Sequence, residues 1–503
     1  MPTPRQLSTF KVLVTAPVQI RPDLGERYRQ LRPFDEAEVI LVQALVDRPS
    51  RLDRAHELTL RYALNLARLW VVSTEREECI LGPRLTEFRE HLRPLAEAIL
   101  RTGRTLDPGT LRDAAVELGP RIIQTRQTLL TENTNRIAPS TLDRELETKS
   151  LVLVLGGGGG CGYVHLGAFS ALESLELRPS LVAGTSMGAI LGLFRAKETV
   201  FRPETIQGVT QGLKFKDLFR VLEANTRHAL PGTLKLRLRS ALARYFTRRD
   251  GLPMQISDLK IPFLCMVTGV RREAARNLED YERTFSRELR RGALGRILHV
   301  KDLVRGGVSL IGRLASTPGA LRPVVVGGDP ETQEFNAIDA VGFSSSLPAI
   351  LQYELRRGDT RMATLVEKTL TRHSIDFLAD GGLIANVPAQ GAWEHVHSGR
   401  LGTRNTFILG LDCFAPQIGR NMLFLPLQRL ASENVGRDRA FAHVILAYRR
   451  VLSPTSVVPK QKAIELAVKN GRAEIDEAGP FLRKVLEPLP PVETLGRTHN
   501  QSG

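Results

Sequence analysis

The sequence is poor in cysteine and has no long apolar run. Its four cysteines are widely spaced, with neither a CxxC pair nor a His/Cys cluster at zinc-ligand spacing, so no disulfide framework is expected and a reducing compartment is indicated. The most apolar stretch, residues 181–194, is about fourteen residues long, whereas a helix needs roughly twenty to cross a bilayer. The amino terminus has no apolar stretch leading to a small-residue cleavage site. We therefore expect no transmembrane helix, no signal peptide, and a cytoplasmic or peripheral membrane location.

The remaining composition is that of a folded globular chain. Hydrophobic residues make up 42% and charged residues 25% of the 503 positions. Lys and Arg (70) exceed Asp and Glu (54), and the formal charge of +16 favours an anionic partner such as a phospholipid surface, nucleic acid or an acidic protein. Nucleic acid is disfavoured because the sequence has no zinc finger, homeodomain or RNP-like aromatic motif.

Changes in the hydrophobic pattern divide the chain into parts. Apolar residues recur at helical spacing between residues 34 and 130, and a polar stretch that we interpret as a linker follows at 131–150. Prolines between Pro480 and Val492 predict a loosely ordered tail. We expect, in order, a mainly helical domain of unknown role, a catalytic domain, a helical extension that packs on it, and the tail: 1–148, 149–415, 416–479 and 480–503.

Strand-length and helix-period segments alternate after the linker. A continuous apolar run at 151–155 predicts a strand, a glycine run follows at 156–162, and the spacing then predicts a helix over 163–177. A second strand is predicted at 180–183 and a second helix at 189–196. This alternation indicates a parallel sheet with helices on both faces, and so an α/β fold. Candidates for further strands are 261–270, 324–327 and 406–411.

Residues 184–188, Gly-Thr-Ser-Met-Gly, match the G-x-S-x-G nucleophile elbow. In this motif a strained turn between strand and helix lifts a hydroxyl clear of the sheet, and Ser186 is the candidate nucleophile. Gly184 and Gly188 are expected because a larger side chain would collide with the neighbouring strand or helix. The helix after Ser186 directs the positive end of its dipole at the developing negative charge. The pattern also occurs by chance, but here it lies between a predicted strand and a predicted helix.

The glycine run has backbone N–H groups unobstructed by side chains, so it can hold an anion. It satisfies G-x-G-x-x-G, which suits a dinucleotide, but no acidic residue closes the second strand to bind the ribose. That strand ends instead at the serine elbow, which favours an oxyanion hole over a nucleotide site. A glycine turn needed only for tight packing is the remaining alternative. The candidate oxyanion-hole residues are Gly157, Gly158, Gly159, Gly160 and Gly162.

A serine nucleophile needs a base, and Asp380 supplies a carboxylate at the end of an apolar segment, followed by two glycines that let the backbone turn. An Asp-Gly-Gly sequence by itself is more often an ordinary turn. His395 and His397 follow Asp380 along the chain, so a triad in the order Ser, acid, His is a second arrangement. His165, just after the glycine run, is interpreted as a packed helix residue.

Together these motifs resemble the patatin-like phospholipase family of bacterial-type lipid acyl hydrolases. Residues 259–270 and 344–348 also resemble connecting segments of that family, and the resemblance covers about residues 149–412. The motifs that carry it are Leu-Gly-Gly-Gly-Gly-Gly-Cys-Gly-Tyr-Val-His-Leu-Gly-Ala (155–168), Val-Ala-Gly-Thr-Ser-Met-Gly-Ala (182–189) and Leu-Ala-Asp-Gly-Gly-Leu-Ile-Ala-Asn-Val-Pro (378–388).

The resemblance implies a three-layer α/β/α catalytic domain and a Ser186/Asp380 dyad that cleaves fatty-acyl esters of lipids through an acyl-enzyme, in the manner of a phospholipase A or lysophospholipase. It implies no histidine in the dyad, no cofactor and no metal. The family commonly has Arg or Lys where this chain has Cys161, which we interpret as a buried filler or, alternatively, a reactive thiol. That difference keeps open a second function, a catalytically weak membrane-binding or regulatory protein. The oligomeric state is left open.

Two basic segments are candidates for contact with an anionic membrane. Residues 214–249 carry ten Lys/Arg, with Leu234, Leu238, Leu242 and Tyr245 at helical spacing, which predicts a basic amphipathic helix. Residues 283–322 form a second basic region and a candidate lid over the site. The alternative for either segment is a solvated charged face over an ordinary buried stripe.

Overall fold

The structure, a computed structural model, describes residues 20–105, 107–204, 214–221, 227–273, 311, 319–416 and 424–495. Its amino-terminal part is helical, with a short hairpin between the second and third helices. The elements are α1 (Pro22–Asp47), α2 (Arg54–Arg68), β1 (Val71–Ser73), β2 (Glu78–Ile80), α3 (Thr86–Thr102), α4 (Pro108–Glu132) and α5 (Pro139–Glu147).

Local signals in the sequence explain where these helices begin. The Asp53 carboxylate accepts the N–H of His56 at 3.0 Å and so caps α2. Pro139 occupies the first turn of α5, where its fixed φ suits a helix and its missing N–H costs nothing. The linker expected at 131–150 is therefore largely helical, and that prediction was wrong because Pro139 starts a helix instead of breaking one. The buried side chain of Leu146 holds α5 in the core of this region.

The rest of the described chain is of mixed helix and strand. The strands are β3 (Ser150–Leu155), β4 (Pro179–Thr185), β5 (Phe219–Val221), β6 (Gly232–Leu236), β7 (Phe263–Val270), β8 (Leu321–Val326), β9 (Ala349–Gln352), β10 (Phe377–Asp380), β11 (Thr406–Asp412) and β12 (Val444–Ala447). The helices are α6 (Val164–Ser174), α7 (Met187–Lys197), α8 (Phe215–Leu218), α9 (Leu238–Leu242), α10 (Pro330–Gln333), α11 (Ala337–Ser344), α12 (Thr360–His373), α13 (Ala389–His397), α14 (Leu425–Asp438) and α15 (Gln461–Leu486).

The central sheet has seven strands, of which β7, β4, β3, β11 and β12 are neighbours in that order. β10 and β8 also pair with β7, β10 on the same edge as β4 and β8 on the opposite edge. β7, β4, β3, β11 and β12 are parallel to one another, whereas β8 and β10 are antiparallel to β7. The strand predictions at 151–155, 180–183, 261–270, 324–327 and 406–411 are confirmed. The sheet is mixed, not purely parallel as expected.

Side chains of β3 alternate between two hydrophobic cores. Leu151, Leu153 and Leu155 face one core, to which α6, α7, α11 and α15 contribute, whereas Val152 and Val154 face another with residues of α13 and α14. Both faces of the sheet are therefore covered by helices. The fold is α/β with an α/β/α arrangement and an additional amino-terminal helical region, as predicted.

The two strands that precede the candidate dyad share one edge of β7. β4 pairs with the first half of β7 and ends at Thr185, which lies opposite Met266. β10 runs in the opposite direction along the second half and ends at Asp380, opposite Val267. Because β8 occupies the other edge, β4 and β10 meet end to end. The residue after Thr185 and the carboxylate of Asp380 are thus brought together by register alone.

The carboxyl-terminal part differs from the prediction in two ways. β12 extends the central sheet beside β11, so the expected helical extension over 416–479 also contributes a strand. The loosely ordered tail does not begin at Pro480, because Pro480 lies inside α15. The chain after α15 is held by Leu489 and Val492, whose buried side chains join the core of the amino-terminal helices. A proline-rich segment can therefore be ordered when its apolar side chains, here three residues apart, are buried in a core.

The predicted basic amphipathic helix at 214–249 was also wrong. Leu234 lies in β6, which pairs with β5 and β9, and the short helix α9 begins after Arg237. Apolar residues four apart fit one face of a helix, but here a strand edge from β9 was available to pair with the first of them. The second basic region, 283–322, lies mostly outside the described residues.

A buried ion cluster joins the amino-terminal helices to the start of the central sheet. Lys149, which immediately precedes β3, donates to both carboxylate oxygens of Glu38 at 2.5 and 2.6 Å. Arg68 approaches the same carboxylate at 2.9 Å. Burial would raise the pKa of Glu38, but the two cations hold it near 2. These ion pairs therefore connect the amino-terminal helical region to the predicted catalytic domain across the domain boundary expected at residue 148.

Helices α6 and α15 pack with their backbones in direct contact. A Cβ at Gly471 would lie 1.9 Å from the carbonyl oxygen of Val164, and one at Gly167 would lie 2.0 Å from that of Val468. Since α6 follows the glycine run directly, this packing fixes the helix that supports the loop.

We predict that Gly471→Ala destabilises the protein by about 1–3 kcal/mol, because the helices must move apart to admit a methyl group. Gly479→Ala in the same helix is the matched control, since its Cβ would lie at an ordinary 3.6 Å from Leu175. It should be neutral or stabilising by about 0.5–1 kcal/mol. The measurement is the urea midpoint by far-UV circular dichroism, and equal midpoints for the two variants would contradict the prediction.

Candidate active site

Ser186 occupies a strained turn between β4 and α7. Its φ of 53° and ψ of −124° lie in a region that residues other than glycine rarely adopt. Ser186 is partly exposed and is the N-cap residue of α7, so its hydroxyl is near the positive end of the helix dipole. The strand, turn and helix expected from G-x-S-x-G are all present.

The glycines on either side of Ser186 are required by close backbone contacts. A Cβ at Gly184 would lie 2.7 Å from the carbonyl oxygen of Gly188, in the following helix. A Cβ at Gly188 would lie 2.5 Å from the carbonyl oxygens of Leu155 and Gly156, at the end of β3. The steric reason given for both glycines from the sequence agrees with these distances.

Asp380 is buried beside the serine. Its carboxylate accepts the backbone N–H of Gly382 at 2.8 Å, and the Ser186 hydroxyl acts on its pKa as a second donor. Burial raises the pKa of Asp380 from 3.8 to about 6, although both of these donors act in the opposite direction. A carboxylate with this pKa is ionised at neutral pH and still basic enough to accept a proton from a hydroxyl.

The glycine loop lies beside the serine, and its N–H groups have different partners. The N–H of Gly157 donates to the Asn386 carbonyl at 3.3 Å, and that of Gly160 donates to the Pro454 carbonyl at 2.9 Å. Within the described part of the chain, the N–H groups of Gly158 and Gly159 have no acceptor, and these two residues are partly exposed. Of the predicted oxyanion-hole residues, Gly157 and Gly160 thus have their N–H groups bonded within the protein, whereas those of Gly158 and Gly159 are not bonded to a described residue.

The two end glycines of the candidate set have packing roles. A Cβ at Gly157 would lie 2.9 Å from the Cβ of Ser186, so this glycine lets the loop approach the nucleophile. A Cβ at Gly162 would lie 2.5 Å from Cγ of Met187, the residue after Ser186. The alternative of a glycine turn needed for packing therefore applies to these two positions.

Ser344, the last residue of α11, and Ser346, two residues further on, hydrogen-bond to the backbone N–H groups of Ser186 and Asp380. The Ser344 hydroxyl accepts the N–H of Ser186 at 2.9 Å and donates to the Met266 carbonyl at 2.6 Å. The carbonyl of Ser346 accepts the N–H of Asp380 at 2.9 Å. We noted this segment in the sequence without assigning it a role. The sequence Ser-Ser-Ser does not indicate which backbone groups these serines will contact, so their role could not be predicted.

The side chains of Asn386 and His165 contact backbone carbonyls at the start of the glycine loop. Asn386 lies three residues after Leu383 in the third motif, and its buried amide is adjacent to the backbone of Gly157. His165 donates from Nε2 to the Gly156 carbonyl at 2.9 Å. Burial lowers the pKa of His165 to about 4, so the ring is neutral. Its interpretation as a packed helix residue is confirmed.

The alternative residues do not join the dyad in this structure. His395 and His397 are buried in α13, where burial lowers their pKa values to about 4 and about 3, and no described contact links either to Asp380. Cys161 is buried, and burial raises the pKa of its thiol to about 12, which fits a filler and not a reactive thiolate. Among the described residues no group of three or more His, Cys, Asp or Glu is placed to hold a metal ion.

Comparison with known proteins agrees with this architecture. Residues 153–393 match the family model described as Patatin-like phospholipase, and this part carries the elbow, the glycine loop and Asp380. This part of the chain is therefore a patatin-like phospholipase domain, as the motifs indicated.

Similarity to curated relatives is confined to short parts of long proteins. Patatin-like phospholipase domain-containing protein 6 of Homo sapiens is 33% identical over 141 residues, which are 28% of this chain and 10% of that protein. Patatin-like phospholipase domain-containing protein 7 of Mus musculus is 26% identical over 137 residues, 27% of this chain and 10% of that protein. Lysophospholipase NTE1 of Coccidioides immitis (strain RS) is 42% identical over 57 residues, 11% of this chain and 4% of that protein. The alignments with these three relatives thus span a tenth or less of their length.

In the part of the chain that the structure describes, no helix combines the length and apolar character needed to cross a bilayer.

The raised pKa of Asp380 predicts a pH-dependent stability cost. Because the folded pKa of about 6 lies above the unfolded value of 3.8, the protonated carboxyl stabilises the fold below pH 4, and this contribution is lost as the pH rises through 6. Asp380→Asn should therefore be more stable than the wild type at pH 8, by on the order of 2–3 kcal/mol, and no more stable at pH 4.

The measurement is a chemical denaturation series across this pH range, with exposed Asp113→Asn as the control. A stability difference between Asp380→Asn and the wild type that does not change with pH would show that burial does not raise the pKa of Asp380.

Proposed function

We propose that the protein is a lipid acyl hydrolase of the phospholipase A or lysophospholipase kind, in which Ser186 is the nucleophile and Asp380 its base. The observation that carries the proposal is the placement of Ser186, on its strained turn, beside the buried Asp380 carboxylate at the junction of β4 and β10. The match to the family model and the names of the relatives, which include lysophospholipases, support a lipid ester as substrate.

In the proposed reaction the Asp380 carboxylate takes the proton of Ser186 as the hydroxyl oxygen attacks the ester carbon. The oxyanion of the tetrahedral intermediate accepts hydrogen bonds from the N–H groups of Gly158 and Gly159. When the intermediate collapses, the proton passes from Asp380 to the departing alcohol, which leaves an acyl-serine. Water, deprotonated by Asp380, then releases the fatty acid and restores the serine. The cycle uses no cofactor.

We predict that Ser186→Ala and Asp380→Asn each lower kcat by at least about a thousandfold on a medium-chain p-nitrophenyl ester and on phospholipid vesicles. In the wild type, kcat/KM should rise with pH to a plateau, with its half-maximum near pH 6, because the base is active only when the Asp380 carboxyl is ionised.

The control is Asp113→Asn, which should keep wild-type rates. Full activity in folded Ser186→Ala, or a flat profile from pH 8 to pH 4, would contradict the dyad. A folded wild type that cleaves neither substrate would favour the alternative of a catalytically weak membrane-binding or regulatory protein.

We also propose that an anionic membrane surface is the partner, on the basis of the formal charge of +16. Several basic side chains of the 214–249 segment are already paired within the protein, such as Arg239 with Asp339 and Lys235 with Glu354. The attraction is therefore expected to come from the charge of the whole surface and not from a single basic helix.

We expect Ser186→Ala to co-sediment with vesicles of phosphatidylglycerol at least about tenfold more strongly than with phosphatidylcholine, and to be released by 0.5 M salt, because screening weakens such attraction. The serine variant is used so that the lipid stays intact. Equal binding to both vesicles, independent of salt, would contradict this proposal.

A further inference from the structure

The glycine loop is hydrogen-bonded to a segment that contains none of the three sequence motifs. Residues 452–457, here called the clamp, lie between β12 and α15 and outside the part that matches the family model. Three donors of the loop region bind three carbonyls of the clamp. These bonds are Gly160 N–H to Pro454 O at 2.9 Å, Cys161 Sγ to Leu452 O at 3.1 Å and Tyr163 Oη to Val457 O at 2.9 Å.

The loop needs such support because its own sequence provides little. Gly158 and Gly159 have φ values of 152° and 57°, which side-chain-bearing residues rarely adopt. A stretch of five glycines has no side chains with which to fix itself to the sheet, and glycine loses more conformational freedom on ordering than any other residue. Contacts made to the loop must therefore set its shape.

The clamp lies directly against the loop backbone. A Cβ at Gly159 would lie 2.4 Å from the Pro454 carbonyl oxygen, and a Cβ at Gly160 would lie 2.4 Å from that of Ser453 and 2.5 Å from that of Ser456. These two glycines are thus required by the approach of the clamp. On the other side, Phe414 would lie 3.0 Å from a Cβ at Gly158. The loop is held between Phe414 and the clamp.

We propose that the clamp selects and positions the oxyanion donors, with Tyr163 and Cys161 as positioning residues that act through the loop. By accepting the N–H of Gly160, the clamp turns that group away from the substrate and leaves the N–H groups of Gly158 and Gly159 to face it. Cys161 is then a small donor that fits beneath the clamp. This inference rests on the proposed acyl hydrolase function, because an oxyanion forms only if an ester is attacked.

The test compares Tyr163→Phe and Cys161→Ala, singly and together, with two controls. Tyr28→Phe removes the same kind of bond, a tyrosine hydroxyl to the Ala440 carbonyl at 3.0 Å, far along the chain from the loop. Cys161→Ser keeps a small hydrogen-bond donor. The readouts are kcat and KM on a p-nitrophenyl ester, the rate at which a fluorophosphonate inactivates Ser186, and the melting temperature.

We expect the double variant to lower kcat and the inactivation rate by about tenfold or more, with KM changed less than about twofold, because displaced donors weaken the transition state and not substrate binding. Tyr28→Phe and Cys161→Ser should retain wild-type kcat. If the double variant lowers kcat no more than Tyr28→Phe does, the clamp does not position the donors and the proposal is overturned.

Failure of the proposed function would be seen separately, as a wild type that neither cleaves the ester nor reacts with the fluorophosphonate. The clamp is then tested by hydrogen exchange in the peptide that contains residues 156–162. Faster exchange in the double variant than in Tyr28→Phe supports a clamp that orders the loop, and equal exchange rates overturn it.

Discussion

The candidate site depends on the end-to-end meeting of β4 and β10 on one edge of β7. β4 runs parallel to β7 and stops at Thr185, and β10 runs antiparallel and stops at Asp380, one register position further along. Two chain segments almost two hundred residues apart thus deliver a hydroxyl and a carboxylate to the same point. The end of α11 connects to both segments: the Ser344 hydroxyl accepts the N–H of Ser186 and donates to the Met266 carbonyl of β7, and the Ser346 carbonyl accepts the N–H of Asp380. A slip of one residue in either strand would turn its side chains to the opposite face and separate the pair.

The second constraint is the close approach of the glycine loop to the backbone around it. Glycine permits this approach, but a run of glycines is more flexible than residues with side chains. The loop approaches Ser186 because Gly157 has no Cβ, but a chain of glycines cannot hold its own shape. Support comes from outside the part that matches the family model. Asn434, in α14, donates to the carbonyls of Gly382 and Leu383 beside Asp380, and the clamp binds the other side of the site through the glycine loop. The carboxyl-terminal segment therefore helps to hold the backbone of the candidate site in place.

Burial determines the chemistry of the titratable groups. It raises the pKa of Asp380 into the range useful for a base and lowers that of His165, which stays neutral and serves as a hydrogen-bond donor. In the amino-terminal region the buried Glu38 remains ionised because Lys149 and Arg68 surround it. These shifts arise from residues distant in sequence, so the pKa values of the candidate site are properties of the packed protein.

The sequence by itself determined the fold class, the main strands and the positions of Ser186 and Asp380, because these depend on local patterns: apolar runs, glycines where the backbone turns, and a serine between strand and helix. It did not determine that Leu234 joins a strand, that Pro139 starts a helix or that α15 continues through Pro480, because each depends on a partner that local spacing cannot reveal. Only the tertiary structure decided which amides of the glycine loop remain available, since the partners of Gly157 and Gly160 lie more than two hundred residues further along the chain. The N–H groups of the glycine loop are equivalent in the sequence, but in the folded protein those of Gly157 and Gly160 are bonded to carbonyls of distant residues.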